Sequence, residues 1–226
     1  MSRNATKDLT TGSPMKLILG FGIPLLFGML FQQFYNMMDT IIVGKFLGVS
    51  ALASVGATGS INFMIIGFCM GVCNGFAIPV AQRFGARDEH GMRKFVANSV
   101  WLSIIFAVVM AVLVCVFCRQ ILELMNTPED IIDGSYSYIF VIFLGIPATY
   151  IYNLLSGIMR SLGDSKTPLY LLIFSSILNI ILDLLSIIVL KMGVAGAAWA
   201  TVIAQAISGF CCLGVIWKKF PILHVQ

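Results

Sequence analysis

Six apolar runs, each longer than twenty residues and separated by short segments that hold almost all the charge, leave this chain very few ways to fold. The runs are Lys16 to Gly44, Ala51 to Gln82, Phe95 to Phe117, Ile131 to Met159, Pro168 to Leu190 and Val194 to Trp217. About 20 residues of helix cross a hydrocarbon core of about 30 Å, so each run is long enough to span a bilayer. Inside lipid every backbone N–H and C=O must bond within its own segment, and for open runs of this kind that means helices. A mean hydropathy of +0.97 with only 11% charged residues is far from a soluble domain, where charged residues make up about a quarter of the chain. The expectation is an all-α polytopic membrane protein of six transmembrane helices. Residues 1–15 are read as a cytoplasmic amino-terminal segment, 16–217 as the bundle, and 218–226 as the start of a cytoplasmic linker.

The basic residues are distributed unevenly. Arg3, Lys7, Lys16, Arg83, Arg87, Arg93, Lys94, Arg160, Lys166, Lys218 and Lys219 fall on one side of the alternating spans, and only Lys45, Arg119 and Lys191 on the other. Lys and Arg near span ends set topology, so both termini are expected in the cytoplasm, with the first, third and fifth spans running outward. That role accounts for the basic segments without any nucleic acid. The first run is far longer than the apolar region of a signal peptide, about 7 to 15 residues, and is read as an uncleaved helix.

Six cysteines, Cys69, Cys73, Cys115, Cys118, Cys211 and Cys212, all lie in apolar runs, where free Cys behaves as a small hydrophobe. Cys115 and Cys118 form a C-x-x-C, but no second such pair or His accompanies it, so neither metal nor redox chemistry is expected. Pro168 stands at the opening of the fifth helix, where a missing N–H is harmless. Pro24 and Pro147 lie inside spans and predict kinks. Gly20, Gly22 and Gly28 surround Pro24, so the first helix is either a bending element or a fixed kink. Small residues crowd the starts of the second and sixth runs, in Gly48 to Ala57 and Gly193 to Ala200, and allow close helix approach. Asn62, Asn74 and Asn98 are isolated amides and read as helix contacts.

Two acids, Asp39 and Asp183, sit within apolar runs. A carboxylate in hydrocarbon costs at least a few kcal/mol, so such a residue faces a polar cavity and handles protons, ions or substrate, or it hydrogen-bonds a neighbouring helix. Gln32, Tyr35, Asn36 and Asp39 recur at steps of three and four, which predicts one polar stripe on the first helix. Asn179 and Asp183 are four apart and stack on one face of the fifth, so the amide can donate to the carboxylate. Thr201 and Gln205 repeat that step on the sixth. Counting about 1.5 Å per residue puts Asp39, Asp183 and Thr201 together in the outer half of the bundle and Asn153 slightly to the cytoplasmic side of the middle. An acid held away from water can alternate between protonated and ionised or cation-bound forms. Carboxyl, amide and hydroxyl oxygens are also hard ligands, so proton and sodium both remain open. His90 and His224 lie in cytoplasmic segments, and there is no nucleophile elbow, phosphate loop or metal motif, so no enzyme activity or cofactor is expected.

The same residues resemble the multidrug and toxic compound extrusion (MATE) family. The likeness runs through nearly the whole chain: Pro24, then Gln32 to Gly44 of the first helix, Arg160-Ser-Leu-Gly-Asp-Ser-Lys-Thr-Pro168, Asn179-Ile-Ile-Leu-Asp183, and Gly193 to Thr201. The resemblance implies that Asp39, Asn179, Asp183 and Thr201 form the ion-coupling network of an amino-terminal lobe and could hold a proton or sodium. Tyr35 and Asn153, with Asn36 from the polar stripe, are further members, and Pro24 is the bend of the first helix. The implied activity is cation-coupled antiport of organic, often cationic, drug-like compounds across a cell membrane, as in a bacterial inner membrane. The family has twelve helices in two six-helix lobes, so this chain resembles an amino-terminal half, either truncated or needing a partner lobe or second copy. Two rival readings remain. A lipid-linked sugar flippase of the same superfamily predicts a more cationic cavity than these acids suggest. A non-transporting fragment or assembly subunit predicts insertion without ion-dependent flux.

Overall fold

A computed structural model describes residues 6–223, so Arg3 and His224 of the charge pattern lie outside the described residues. Those residues form nine α-helices and no strand: α1 (Pro14–Leu47), α2 (Val49–Ala57), α3 (Gly59–Gly85), α4 (Glu89–Val116), α5 (Cys118–Leu124), α6 (Ile132–Leu144), α7 (Ile146–Ser161), α8 (Lys166–Leu184) and α9 (Val194–Lys219). Helices α1, α3, α4, α8 and α9 are each long and apolar enough to cross a membrane, and α6 with α7 makes a sixth span bent by 48°. The chain is thus a multi-pass, all-helical membrane protein. α1 alone, with 34 residues, is about 50 Å long at 1.5 Å per residue.

Two of the six expected spans are not single helices. The run Ala51 to Gln82 breaks at Thr58, whose N–H and hydroxyl both turn back to the Val55 carbonyl, at 3.2 and 2.7 Å. Such back-bonding competes with the helical ladder. The run Ile131 to Met159 bends at Gly145 because Pro147, near the start of α7, has no N–H for the carbonyl four residues earlier. Gly145 also carries the contact with α9, since a Cβ there would lie 2.3 Å from Val202 Cγ2. Pro24, by contrast, leaves α1 helical throughout. The fifth span ends in a π-helical turn, Leu185–Val189.

Packing follows the small residues. α9 runs against α6, α7 and α8, and its Ala197, Ala198, Ala200 and Ala204 are fully buried. A Cβ on Gly196 would stand 3.1 Å from Ser186 Cβ, so the start of α9 lies directly against the π-helical turn. α2 meets the start of α6 in the same manner, through the Ser135 hydroxyl donating to the Ser54 carbonyl at 2.9 Å. Without a hydrophobic driving force between helices in lipid, these close backbone approaches provide much of the association. The remaining large apolar side chains, such as Met15, Leu26, Phe63, Trp101 and Phe210, are exposed on the outside of the bundle.

The basic loops gather at one end. The Lys7 N–H donates to the Leu162 carbonyl at 3.1 Å, Asp8 and Arg87 pair at 3.4 Å, and Arg93 Nε donates to the Ile222 carbonyl at 2.6 Å. The segment before α1, the α3–α4 turn, the α7–α8 loop and the segment after α9 therefore lie together. Gly163, at φ +85°, has the left-handed backbone this crossing needs, and a Cβ there would stand 2.3 Å from the Lys7 carbonyl oxygen. Asp88 caps α4 by accepting from the Gly91 N–H at 2.9 Å. That bond, then the Arg83 guanidinium, hold its carboxyl below the usual carboxylate range. Asp164 caps α8 similarly, accepting from the N–H groups of Lys166 and Thr167 at 3.1 and 3.0 Å.

Candidate functional site

The two acids meet inside the half of the bundle away from the basic loops. Asp39 comes from α1 and Asp183 from the last turn of α8; they are 9% and 0% exposed, and their carboxyl groups lie within hydrogen-bonding reach of each other. One oxygen of each, Asp39 Oδ1 and Asp183 Oδ1, has no hydrogen-bond partner. Two ionised carboxylates this close repel each other, and a shared proton or a bound cation would relieve that repulsion.

Asn179 organises the surroundings. The ends of its amide are assigned from their partners: the nitrogen donates to Asp183 Oδ2 at 2.7 Å, and the oxygen accepts from Tyr35 Oη and from the Thr201 N–H, each at 3.1 Å. Tyr35 Oη also lies 3.2 Å from Thr201 Oγ1, which can donate to the Ala197 carbonyl at 3.1 Å. Thr201 reaches Asn179 and Tyr35 because α9 packs so closely on α8. The helical step from Asn179 to Asp183 sets the amide one turn from the carboxylate, and the step from Tyr35 to Asp39 repeats that spacing on α1.

Two cavities lead from this cluster toward the basic end. A void of about 10 Å³ is lined by Gln32, Tyr35, Asn179 and Gln205 among others, the scale of a single water. Beyond it lies a cavity of about 480 Å³ walled by α1, α3, α7 and α8, within the range of sites for drug-sized molecules. Gln32 and Leu172 line both. Pro24 lies in the wall of the larger one, as do Asn74, Asn153, Ser156 and Arg160. Asn74, expected as a helix contact, is therefore a cavity residue.

The polar stripe expected on α1 holds for Gln32, Tyr35 and Asp39. Asn36 is exposed, and its amide bonds the neighbouring Gln33 at 3.4 Å. At about 100° per residue it falls off the face that Tyr35 and Asp39 share. Asn153 is likewise apart from the acids. It faces the large cavity and donates back to the Thr149 carbonyl at 2.8 Å. The expected acidity of the cavity also needs correction, since Asp39 and Asp183 are closed away from it and its one charged lining residue is Arg160. Tyr138 of α6, only 7% exposed and within electrostatic range of Asp39, Tyr35 and Asp183, was not legible as part of this cluster. Its only polar neighbour one helical turn away is Ser135, which bonds α2 instead, and the residues that follow it in α6 are apolar.

The residues present suit a proton, or a hard cation held by carboxyl, amide and hydroxyl oxygens. No cluster of three or more His, Cys, Asp or Glu occurs among the described residues.

Known proteins share this sequence pattern and fold. The MatE family model matches residues 24–185. The probable multidrug resistance protein YoeA of Bacillus subtilis (strain 168) is 35% identical over 205 residues, which cover 88% of this chain and 44% of that protein. YpnP of the same organism, also a probable multidrug resistance protein, is 31% identical over 201 residues, covering 89% of this chain and 45% of its own length. A solved outward-facing structure of a multidrug resistance MATE family transporter superposes with a TM-score of 0.88 at 28% identity, covering 98% of this chain and 49% of that one. The chain spans about half the length of the curated relatives it matches. With the family model matched over most of its length and the six-span fold shared, this chain belongs to the MatE family.

Proposed function

We propose that this chain is the amino-terminal lobe of a proton-coupled exporter of organic compounds, with Asp39 and Asp183 carrying the coupling proton between them. The observation that carries this reading is the pair itself: two buried carboxyl groups from different helices within reach of each other, each keeping one oxygen without a partner. A proton held between them neutralises one charge, and its departure leaves two like charges that push α1 and α8 apart or draw in water. α1 is the element best placed to respond, because Pro24 weakens its ladder where it lines the large cavity. Gln32 and the water-sized void give the proton a polar route between that cavity and the acids. The relatives' names, multidrug resistance proteins of about twice this length, support a cargo of drug-like compounds and a second lobe.

The test joins this chain to the carboxy-terminal lobe of a relative such as YoeA and reconstitutes the pair. An imposed pH gradient alone should drive ethidium movement, and an imposed sodium gradient at equal pH should not. Flux driven by sodium alone would replace the shared proton with a bound cation at the same oxygens.

The orientation follows from the basic loops, which gather at one end of the fold and are assigned to the cytoplasm. In a cysteine-free background, His90→Cys should resist a membrane-impermeant maleimide added to intact cells, and Lys45→Cys should react. Both positions are exposed, and neither caps a helix as Asp88 and Asp164 do. Labelling at 90 but not 45 would invert the assignment.

A further inference from the structure

We propose that the large cavity binds a small amphipathic organic anion, its carboxylate or similar head group held by Arg160 and its apolar body by the α1 and α8 walls. Arg160, near the end of α7, lines the cavity and is only partly exposed. No ion pair or hydrogen bond reaches its guanidinium among the described residues. Arg160 stands at the end of its span that the basic loops mark, where its side chain reaches into the cavity and no carboxylate lines the wall opposite it. Here every carboxylate of the span interior is committed elsewhere, to the Asp39 and Asp183 pair. The other described lining residues are neutral, so the guanidinium is the one charge among them that a ligand in this cavity meets.

The chemistry selects the ligand. A planar guanidinium offers paired N–H donors to a carboxylate or phosphate and attracts no cation. The Asn153 amide adds a donor on the same face of α7. Phe21, Leu25, Met29, Met70, Leu169 and Leu172 supply an apolar enclosure for an aromatic or aliphatic body. The volume, about 480 Å³, fits a drug-sized molecule and is small for a two-chain lipid. A phospholipid head group has the same anionic chemistry, so the test separates the two. The inference rests on the carrier reading only in treating the ligand as cargo. The anion site itself stands on Arg160 and on the neutral, largely apolar lining around it.

The experiment measures binding, not flux. The 226-residue chain is placed in phosphatidylcholine nanodiscs and dialysed to equilibrium against radiolabelled 2-naphthoate or its cationic counterpart, 2-naphthylmethylammonium. Naphthoate should bind saturably and about tenfold or more tighter than the ammonium compound. Arg160→Gln should remove that preference, and Arg160→Lys should keep part of it as a point charge. Ser156→Asp supplies a carboxylate four residues before Arg160, a spacing that lets the two pair, and should abolish naphthoate binding with the Arg still present. Leu172→Trp, which fills the cavity and leaves Arg160 untouched, should do the same, so a folding defect in any one variant does not decide the question.

Equal binding of the two probes, or naphthoate binding unchanged in Arg160→Gln, overturns the proposal. Substituting phosphatidylglycerol for phosphatidylcholine should leave naphthoate binding within about twofold. If phosphatidylglycerol displaces it, the occupant is a lipid head group and the small-molecule site is lost. The carrier reading fails independently, on gradient-driven flux of the two-lobe protein. Naphthoate binding without flux leaves the anion site standing, and flux without naphthoate binding removes only the anion site.

Discussion

Asp183→Asn abolishes proton-driven efflux when this chain is joined to a carboxy-terminal lobe, with the rate falling by about 100-fold or more, the range for losing a positioned proton-transfer group. The side chain keeps its size and can still bond the Asn179 amide one turn away, so the network around Tyr35 and Thr201 keeps its geometry. What it loses is the ability to release a proton. Because a neutral amide costs less to bury than a carboxylate, the variant should insert and melt at or above the parent temperature. Efflux is followed with ethidium in proteoliposomes under an imposed pH gradient, and stability by the thermal loss of helical circular dichroism. Asp39→Asn should also weaken coupling, since it removes the other member of the pair. Full gradient-driven efflux by Asp183→Asn would reduce the pair to a structural hydrogen bond between α1 and α8.

The second large effect concerns what the 226 residues do by themselves. Reconstituted alone, the chain should insert, keep its helical content and give no sustained ethidium flux. Addition of a separately expressed carboxy-terminal lobe from a relative should restore it. An alternating-access carrier rocks two bundles around a site between them, and one six-span bundle forms one wall of that site. The relatives, of which this chain covers 44 and 45%, have room for the other wall. Lobes related by an axis along the membrane normal share their orientation, so two copies of this chain in parallel are the one other way to build the cleft. Cross-linking distinguishes the cases. Gradient-dependent flux by a monomer would overturn the half-carrier reading, and flux only from the cross-linked dimer would make the chain a self-sufficient homodimeric carrier.

Much of the site was legible because helical spacing is local. Asn179 with Asp183 and Tyr35 with Asp39 each lie one turn apart, and counting residues from the span ends put Asp39, Asp183 and Thr201 in the same half of the bundle. The same counting set Asn153 apart from them, where the structure also has it. Asn36 lies outside the cluster because steps of three and four cover more than one face, and only contact with α8 and α9 chooses which part of the stripe is inside. Arg160 was read as a charge for topology. Its place in a cavity wall depends on α1 and α8 standing opposite α7, which no local pattern records.

Span number, helical class and the segregation of basic loops were determined by the sequence alone, because transfer into hydrocarbon is additive along the chain and each run meets it independently. Which polar groups touch was decided by tertiary structure. Tyr35 and Thr201 are 166 residues apart, and Asp39 and Asp183 are almost as distant. They meet because the glycine and alanine surface of α9 lets it close on α8, and because the bend at Gly145 brings α6 and α7 around the same core. Those contacts depend on backbone separations of a few ångströms between distant segments. A residue's own hydropathy and its helical phase do not contain that information, so the acid pair and the cavity wall that holds Arg160 form only when the helices pack.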